Sequence, residues 1–380
     1  MNAFVDFKKA SGTKQPKTRF AFVDALRGVA ALGVVLFHSL EGKHIPALEA
    51  AMPDWLRGAL AQGNLGVAIF FVLSGFVISH SLFDQRVTLP LAARFMLRRS
   101  LRLDPPYYFA IAITLVFAIL SHHFVPDKPF PDISFTQLLA HIVYLQDILG
   151  YPALSPVFWT LCLEVQFYIL YVAILAACGS NSNAFVRDRT TIVALGAALL
   201  VALLWPTANI QTSPWSGSFL PLWYGFLIGV FSYWSTRRRS VTPFFLLTSA
   251  ILFVFGLWNN NPFALVCVAT AMLLSLAAAT NKLATGLSYA GVQFLGAISY
   301  SLYLIHNPIT GASFRVGYML TGHGLWWEGF WWVVSIAACI ASAGIMWWFV
   351  ERPSMRLARR VRLYAKPPDD IAIPILSERD

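Results

Sequence analysis

Ten apolar stretches close to membrane-spanning length leave this chain few folds to choose from. They lie near residues 21–40, 65–83, 105–124, 157–178, 190–205, 219–236, 243–258, 262–279, 294–313 and 330–350. About 20 apolar residues wound as a helix cover a hydrocarbon core of roughly 30 Å, and in lipid every backbone polar group must be satisfied within its own segment. Charged residues are 12% of the chain, against about 25% in soluble domains. The reading is an all-α polytopic membrane protein: about ten transmembrane helices in one bundle.

A net charge of +10 invites a nucleic-acid reading, but the positions of the charges argue against it. Number the segments with the N-terminus in the cytoplasm. Every lysine and arginine then falls on the cytoplasmic side, except Lys43, Arg57, Lys128, Arg315 and the membrane-embedded Arg27. That is the positive-inside pattern. Both termini are therefore expected in the cytoplasm, with membrane lipids and not nucleic acid as the surroundings. Residues 1–19 read as a disordered basic tail, 20–355 as the transmembrane domain and 356–380 as a basic, polar tail. The first apolar run follows a polar tail and contains Arg27, which argues against a cleavable signal peptide. All four cysteines lie in apolar segments as small core thiols, and no metal site is expected. Thr136 to Leu149 is apolar but too short to cross, so it reads as re-entrant or interfacial.

Ionisable groups inside such segments are costly and mark functional sites by default. Arg27 and His38 lie eleven positions apart on the first segment. That is close to three helical turns, so they share a stripe about 16 Å long. Glu164 stands in the fourth segment and His306 in the ninth. Arg98, Arg99 and Arg102 precede the third, with the last two at i, i+3 on one helical face.

Five stretches carry a resemblance that covers roughly residues 20–355. They are FVDALRGVAALGVVLFH (22–38), GVAIFFVLSGFVIS (66–79), RRSLRLDPPYY (98–108), FWTLCLEVQFY (158–168) and SYSLYLIHNP (299–308). Together they resemble acyltransferase family 3, membrane-bound enzymes that O-acylate cell-envelope polysaccharides and related acceptors. The first looks like that family's arginine, ten residues, histidine signature. The third looks like its RxxR stretch. Many relatives have two adjacent acids at the fourth, whereas this chain has Val165 after Glu164.

The resemblance implies an O-acyltransferase of the bacterial plasma membrane. Its donor would be acyl-CoA, most simply acetyl-CoA, and its acceptor a carbohydrate or lipid-linked sugar. His38, Arg27 and Glu164 are the expected catalytic residues. His38 is either the base for the attacking hydroxyl or the acyl acceptor itself. Arg98, Arg99 and Arg102 would hold the donor's phosphates, since the guanidinium fork matches phosphate. Trp159, Gln166, Tyr168, Tyr303 and His306 would contact the acceptor. Blander readings stand beside these: Arg27 snorkelling or paired with Asp24, Tyr300, Tyr303 and His306 as a packing stripe, Trp159 in an aromatic belt, Ser74 and Gly75 as a close-packing point, and Glu351 and Arg352 as a cytoplasmic cap. By depth, Arg27 and the Arg98–Arg102 cluster fall in the inner zone, and His38, Glu164 and His306 in the outer. An exporter of polysaccharide or lipid is the rival class; no repeat or pair of broken helices favours it. Other acyl donors, or a small antibiotic hydroxyl as acceptor, are further alternatives.

Overall fold

A computed structural model of the chain describes residues 20–83, 85–124, 129–179, 184–210 and 215–363. The tail expected over 1–19 and the end of the chain beyond 363 lie outside the described residues. The elements are helical throughout: α1 (Ala21–Glu41), α2 (Pro46–Ala51), α3 (Asp54–Ala61), α4 (Gly66–Leu82), α5 (Leu89–Phe124), α6 (Phe135–Ile142), α7 (Trp159–Cys178) and α8 (Ala184–Ala202). Then follow α9 (Leu204–Thr207), α10 (Trp223–Arg237), α11 (Thr242–Trp258), α12 (Pro262–Ala279), α13 (Ala290–Thr321), α14 (Leu325–Met346) and α15 (Arg352–Arg360). This is an all-α polytopic membrane protein.

Each of the ten apolar stretches is a helix. Among the described residues, however, eight helices rather than ten are long and apolar enough to cross a membrane. The other two differ for physical reasons. α10 has 15 residues, about 22 Å of rise, and every residue from Trp223 to Trp234 is buried, so protein rather than lipid surrounds it. α13 runs for 32 residues and buries Ser299, Ser301, His306 and Thr310, so its polar groups face the bundle and dilute its hydropathy. The third segment also differs. α5 does not begin at residue 105 but runs 36 residues from Leu89, straight through Pro105 and Pro106. Those prolines lack the N–H groups that the Leu101 and Arg102 carbonyls would accept. The expected interfacial piece is the eight-residue α6, capped by Ser134 accepting from Gln137 N at 3.1 Å.

Loop-to-loop hydrogen bonds define two faces. On one, Phe22 N donates to Leu283 O, Arg86 Nε to Gly179 O, and Arg238 pairs with Asp188 at 2.5 Å. This is the basic face. On the opposite face, the buried Glu328 accepts from Leu48 N at 2.8 Å, Asn259 Nδ2 donates to Pro206 O, and Gln137 Nε2 donates to Pro152 O.

Lipid offers helices little hydrophobic reason to associate, so close backbone approach matters more. α1 meets α13 where a Cβ on Gly28 would lie 2.7 Å from Gly296 N and one on Gly296 2.2 Å from Asp24 O. α4 meets α10 the same way: a Cβ on Gly75 would lie 1.9 Å from Phe226 O, and one on Gly229 2.1 Å from Val72 O. Backbone cannot yield as a flexible side chain can. Gly75→Ala and Gly229→Ala should therefore each cost at least the usual overpacking range of about 1–3 kcal/mol. Thermal unfolding in detergent should show a clear drop in Tm for both; an unchanged Tm would refute the tight α4–α10 contact.

Candidate active site

Five helices converge on a cavity of about 70 Å³ in the middle of the bundle. α1 contributes Arg27, α5 contributes Arg99 and Arg102, α7 contributes Thr160, Glu164 and Tyr168, and α13 contributes Tyr300 and Tyr303. α4 supplies Val67, Phe70, Phe71 and Ser74, at the i, i+3, i+4, i+7 spacing of one helical face. The residues from α7 keep a four-residue spacing for the same reason.

The charges are unequal. Three guanidinium groups share the cavity with one carboxylate. Arg99 is 8% exposed, its guanidinium 4.8 Å above the Tyr168 ring and 5.4 Å from that of Phe95. Among the described residues, Arg27 and Arg102 make no hydrogen bond and no ion pair within 4 Å. Glu164 is already committed: its Oε1 accepts from Ser74 Oγ at 2.6 Å and from the Tyr168 hydroxyl. Positive charge is thus in excess where the dielectric is low, and electrostatic terms are strongest there. The snorkelling alternative for Arg27 does not describe it, because its side chain lines an interior cavity.

His38 does not line this cavity. Its ring lies in the last turn of α1, where Nδ1 donates to Glu41 Oε2 at 3.2 Å. That bond leaves Nε2 as the free ring nitrogen. The His306 ring lies 5.2 Å away between centroids. His306 is fully buried; its Nδ1 faces the carbonyls of Tyr303 at 2.8 Å and Leu302 at 3.1 Å. Carbonyls only accept, so Nδ1 carries the proton, and Nε2 is buried without a partner. Tyr303 links the two parts: it lines the cavity, its ring lies 6.2 Å from that of His306, and its hydroxyl meets Thr160 Oγ1 at 2.8 Å.

The predicted residues therefore divide. Arg27, Arg99, Arg102, Glu164, Tyr168 and Tyr303 are brought together, and His38 and His306 form a pair beyond Tyr303. Several residues lie elsewhere than expected. Glu164 belongs with the arginines and not in an outer zone with the histidines. The arginines are not a surface cluster ahead of a span, because α5 carries Arg99 and Arg102 into the bundle. Arg98 does not line the cavity, being one residue, about 100°, round the helix. Gln166 turns away as well: its Nε2 donates to Gly217 O at 2.9 Å and its Oε1 accepts from Phe219 N at 3.1 Å, holding a loop. Trp159 lines a separate cleft on the face opposite the basic one.

Some residues were missed. Glu41 stands three residues after His38, a spacing that shares a helical face and was legible. Of the pair expected at a close-packing point, Gly75 packs against Phe226, but Ser74 turns to Glu164. Glu351 is no surface cap. It is 3% exposed, ends a π-helical turn (Trp347–Glu351), and accepts from Ser301 Oγ at 2.6 Å.

The chain's sequence matches a family described as an acyltransferase domain over residues 20–351. The chain belongs to acyltransferase family 3. The O-acetyltransferase OatA of Staphylococcus aureus is 25% identical over 350 residues, covering 80% of this chain and 52% of its own length. The peptidoglycan O-acetyltransferase OatA of Listeria monocytogenes is 24% identical over 363 residues, covering 87% and 55%. The chain thus spans about half the length of these curated relatives. No solved structure matches it.

The hold on Glu164 is open to a double-mutant cycle. Ser74→Ala and Tyr168→Phe should each cost about 1–3 kcal/mol, the range for a hydrogen bond to a charged group. Together they should exceed the sum, because the second removal strands the carboxylate. Additive Tm losses would mean that the two hydroxyls do not act on one group.

Proposed function

We propose that this chain moves an acetyl group from cytosolic acetyl-CoA to a hydroxyl of an N-acetylated aminosugar glycan of the cell envelope, with the basic face in the cytoplasm of a bacterial plasma membrane. One observation carries the reading: a cavity with three guanidiniums and one carboxylate shares helix α1 with a histidine whose Nδ1 is held by Glu41. Free guanidiniums in a low-dielectric site call for an anionic ligand, and the donor is a polyanion with phosphates and a pyrophosphate. The positive-inside distribution supports a cytosolic approach. The small volume and the apolar wall of Val67, Phe70 and Phe71 suit an acyl group of few atoms. The names of the relatives support acetyl and a glycan acceptor.

In the proposed reaction Arg99 and Arg102, with Arg27 deeper, hold the donor while its thioester passes Tyr303 to reach His38. The acceptor hydroxyl approaches from the opposite face. His38 Nε2 takes the hydroxyl proton as the oxygen attacks the thioester carbonyl. The carbon–oxygen bond forms, the carbon–sulfur bond breaks, and the departing sulfur leaves as the CoA thiol after taking up a proton. Glu41 keeps the Nδ1 proton in place, so the nitrogen facing the substrate is the one able to accept. His306 packs against the same ring and fixes its plane.

His38→Ala should reduce transfer by about 10²–10⁴, the usual worth of a positioned base, while the protein still purifies as a folded species. Transfer near the wild-type rate would remove His38 from the reaction. Arg99→Ala with Arg102→Ala should act on the donor instead, raising KM for acetyl-CoA at least tenfold and narrowing the preference over a donor lacking the 3′-phosphate. An unchanged KM would exclude these arginines as the phosphate handle.

A further inference from the structure

The face opposite the basic one carries a cleft of about 480 Å³ that no part of the proposed transfer uses. One wall is the turn after α6, with Asp147, Gly150 and Tyr151; the other is the loop before α10, with Ser216 to Ser218. Trp159 and Leu163, on the first turns of α7, form the floor. Among the described residues, the lining joins two half-buried aromatic rings, Tyr151 and Trp159, to the loop hydroxyls of Ser216 and Ser218, while the Asp147 Oδ2 is buried behind the wall.

Polar side chains hold both walls. Gln166 binds the second through Gly217 O and Phe219 N, as described above. Gly217 has φ +67, and a Cβ there would lie 2.5 Å from the Asp147 carbonyl carbon, so glycine lets the walls meet. On the first wall, Gln137 Nε2 donates to Pro152 O at 2.8 Å. His141 is fully buried and bridges two segments, Nδ1 donating to Gln137 O at 2.9 Å and Nε2 accepting from Leu154 N at 3.1 Å. Burial lowers the His141 pKa, which preserves the neutral form this bridge requires. So many fixed contacts around a solvent-facing hollow are the mark of a preformed binding site and not of loose loops.

We infer that this cleft is a second glycan subsite, holding a sugar ring of an extended acceptor one or more units from the ring that is acylated. Aromatic faces take the apolar side of a sugar ring, and serine hydroxyls such as those of Ser216 and Ser218 both donate to and accept from its hydroxyls. Among the described residues no imidazole lines the cleft, so the reacting hydroxyl is elsewhere. The cleft nevertheless backs onto the cavity through one helix: Trp159 and Leu163 face it, while Thr160 and Glu164 line the cavity. The inference rests on the glycan reading above but is tested by binding, independently of transfer.

The probe is the β-1,4-linked N-acetylglucosamine tetrasaccharide, compared with the monosaccharide, titrated calorimetrically into the full chain in nanodiscs. The tetrasaccharide should bind at least tenfold more tightly than the monosaccharide. Trp159→Ala and Tyr151→Ala should each reduce that advantage at least fivefold, and Trp159→Phe should restore most of it. His38→Ala should bind the tetrasaccharide as the wild type does. Equal affinity for the two sugars, or a tetrasaccharide affinity untouched in both cleft variants, would overturn the subsite. Full binding by wild type and His38→Ala, with transfer undiminished by His38→Ala, would instead overturn the base and leave the subsite standing.

Discussion

The contact of α1 with α13 through Gly28 and Gly296 is the constraint on which the rest of the site depends. A helix in a membrane can rotate about its axis at little cost unless something indexes it, because lipid is as apolar as leucine. Here the index is backbone against backbone. With Gly28 seated on α13, the neighbouring Arg27 turns into the cavity, and His38, three turns on, comes to rest against His306. A larger residue at either glycine would push the helices apart by more than the tolerance of a hydrogen bond. It would disturb the arginine and both imidazoles at once, although none of them touches the contact.

Once α1 is fixed, the cavity's electrostatics follow from what surrounds each charge. Glu164 receives two hydroxyl donors and therefore needs no arginine. Arg99 rests on the Tyr168 ring, which itself serves Glu164, so one tyrosine steadies both signs of charge. Among the described residues, Arg27 and Arg102 make no hydrogen bond or close ion pair, and the carboxylates of Asp24 and Glu351 act on them only from a distance. Their donor groups thus remain available to an anionic ligand.

How much of this was readable before the structure depends on whether the information was local. The all-helical membrane bundle was, because apolar runs of that length have one solution in lipid, although eight rather than ten of the described helices are long and apolar enough to cross it. The shared stripe of Arg27 and His38 was too, since helical periodicity alone puts residues eleven apart on one face. Depth was not. The arginine cluster is expected in the inner zone and Glu164 in the outer by counting residues from segment ends, whereas α5 begins at Leu89 and carries Arg99 and Arg102 to the cavity that Glu164 also lines. Gln166 and Trp159 looked alike as polar or aromatic neighbours of a catalytic motif, but 200° and 100° of helix rotation from the cavity face direct them to a loop and a cleft. Only the packing of α7 between two hollows distinguishes them. Glu41 could have been found from its three-residue spacing to His38, and it was overlooked because it lies at the exposed end of the segment.

The separation of cavity from imidazole pair at Tyr303 fits the demands of the proposed reaction. A thioester held beside an activated base is open to hydrolysis whenever water reaches both, so an enzyme whose two substrates come from opposite faces gains from keeping the base apart until the acceptor is present. Tyr303 is anchored by its hydroxyl to Thr160 on α7, the helix that also floors the outer cleft. A glycan pressing on the first turn of α7 would act on the partner that holds Tyr303 in place. Occupancy of the outer face and opening of the route to His38 would then be coupled through one helical turn, and a bound acceptor rather than water would meet the thioester.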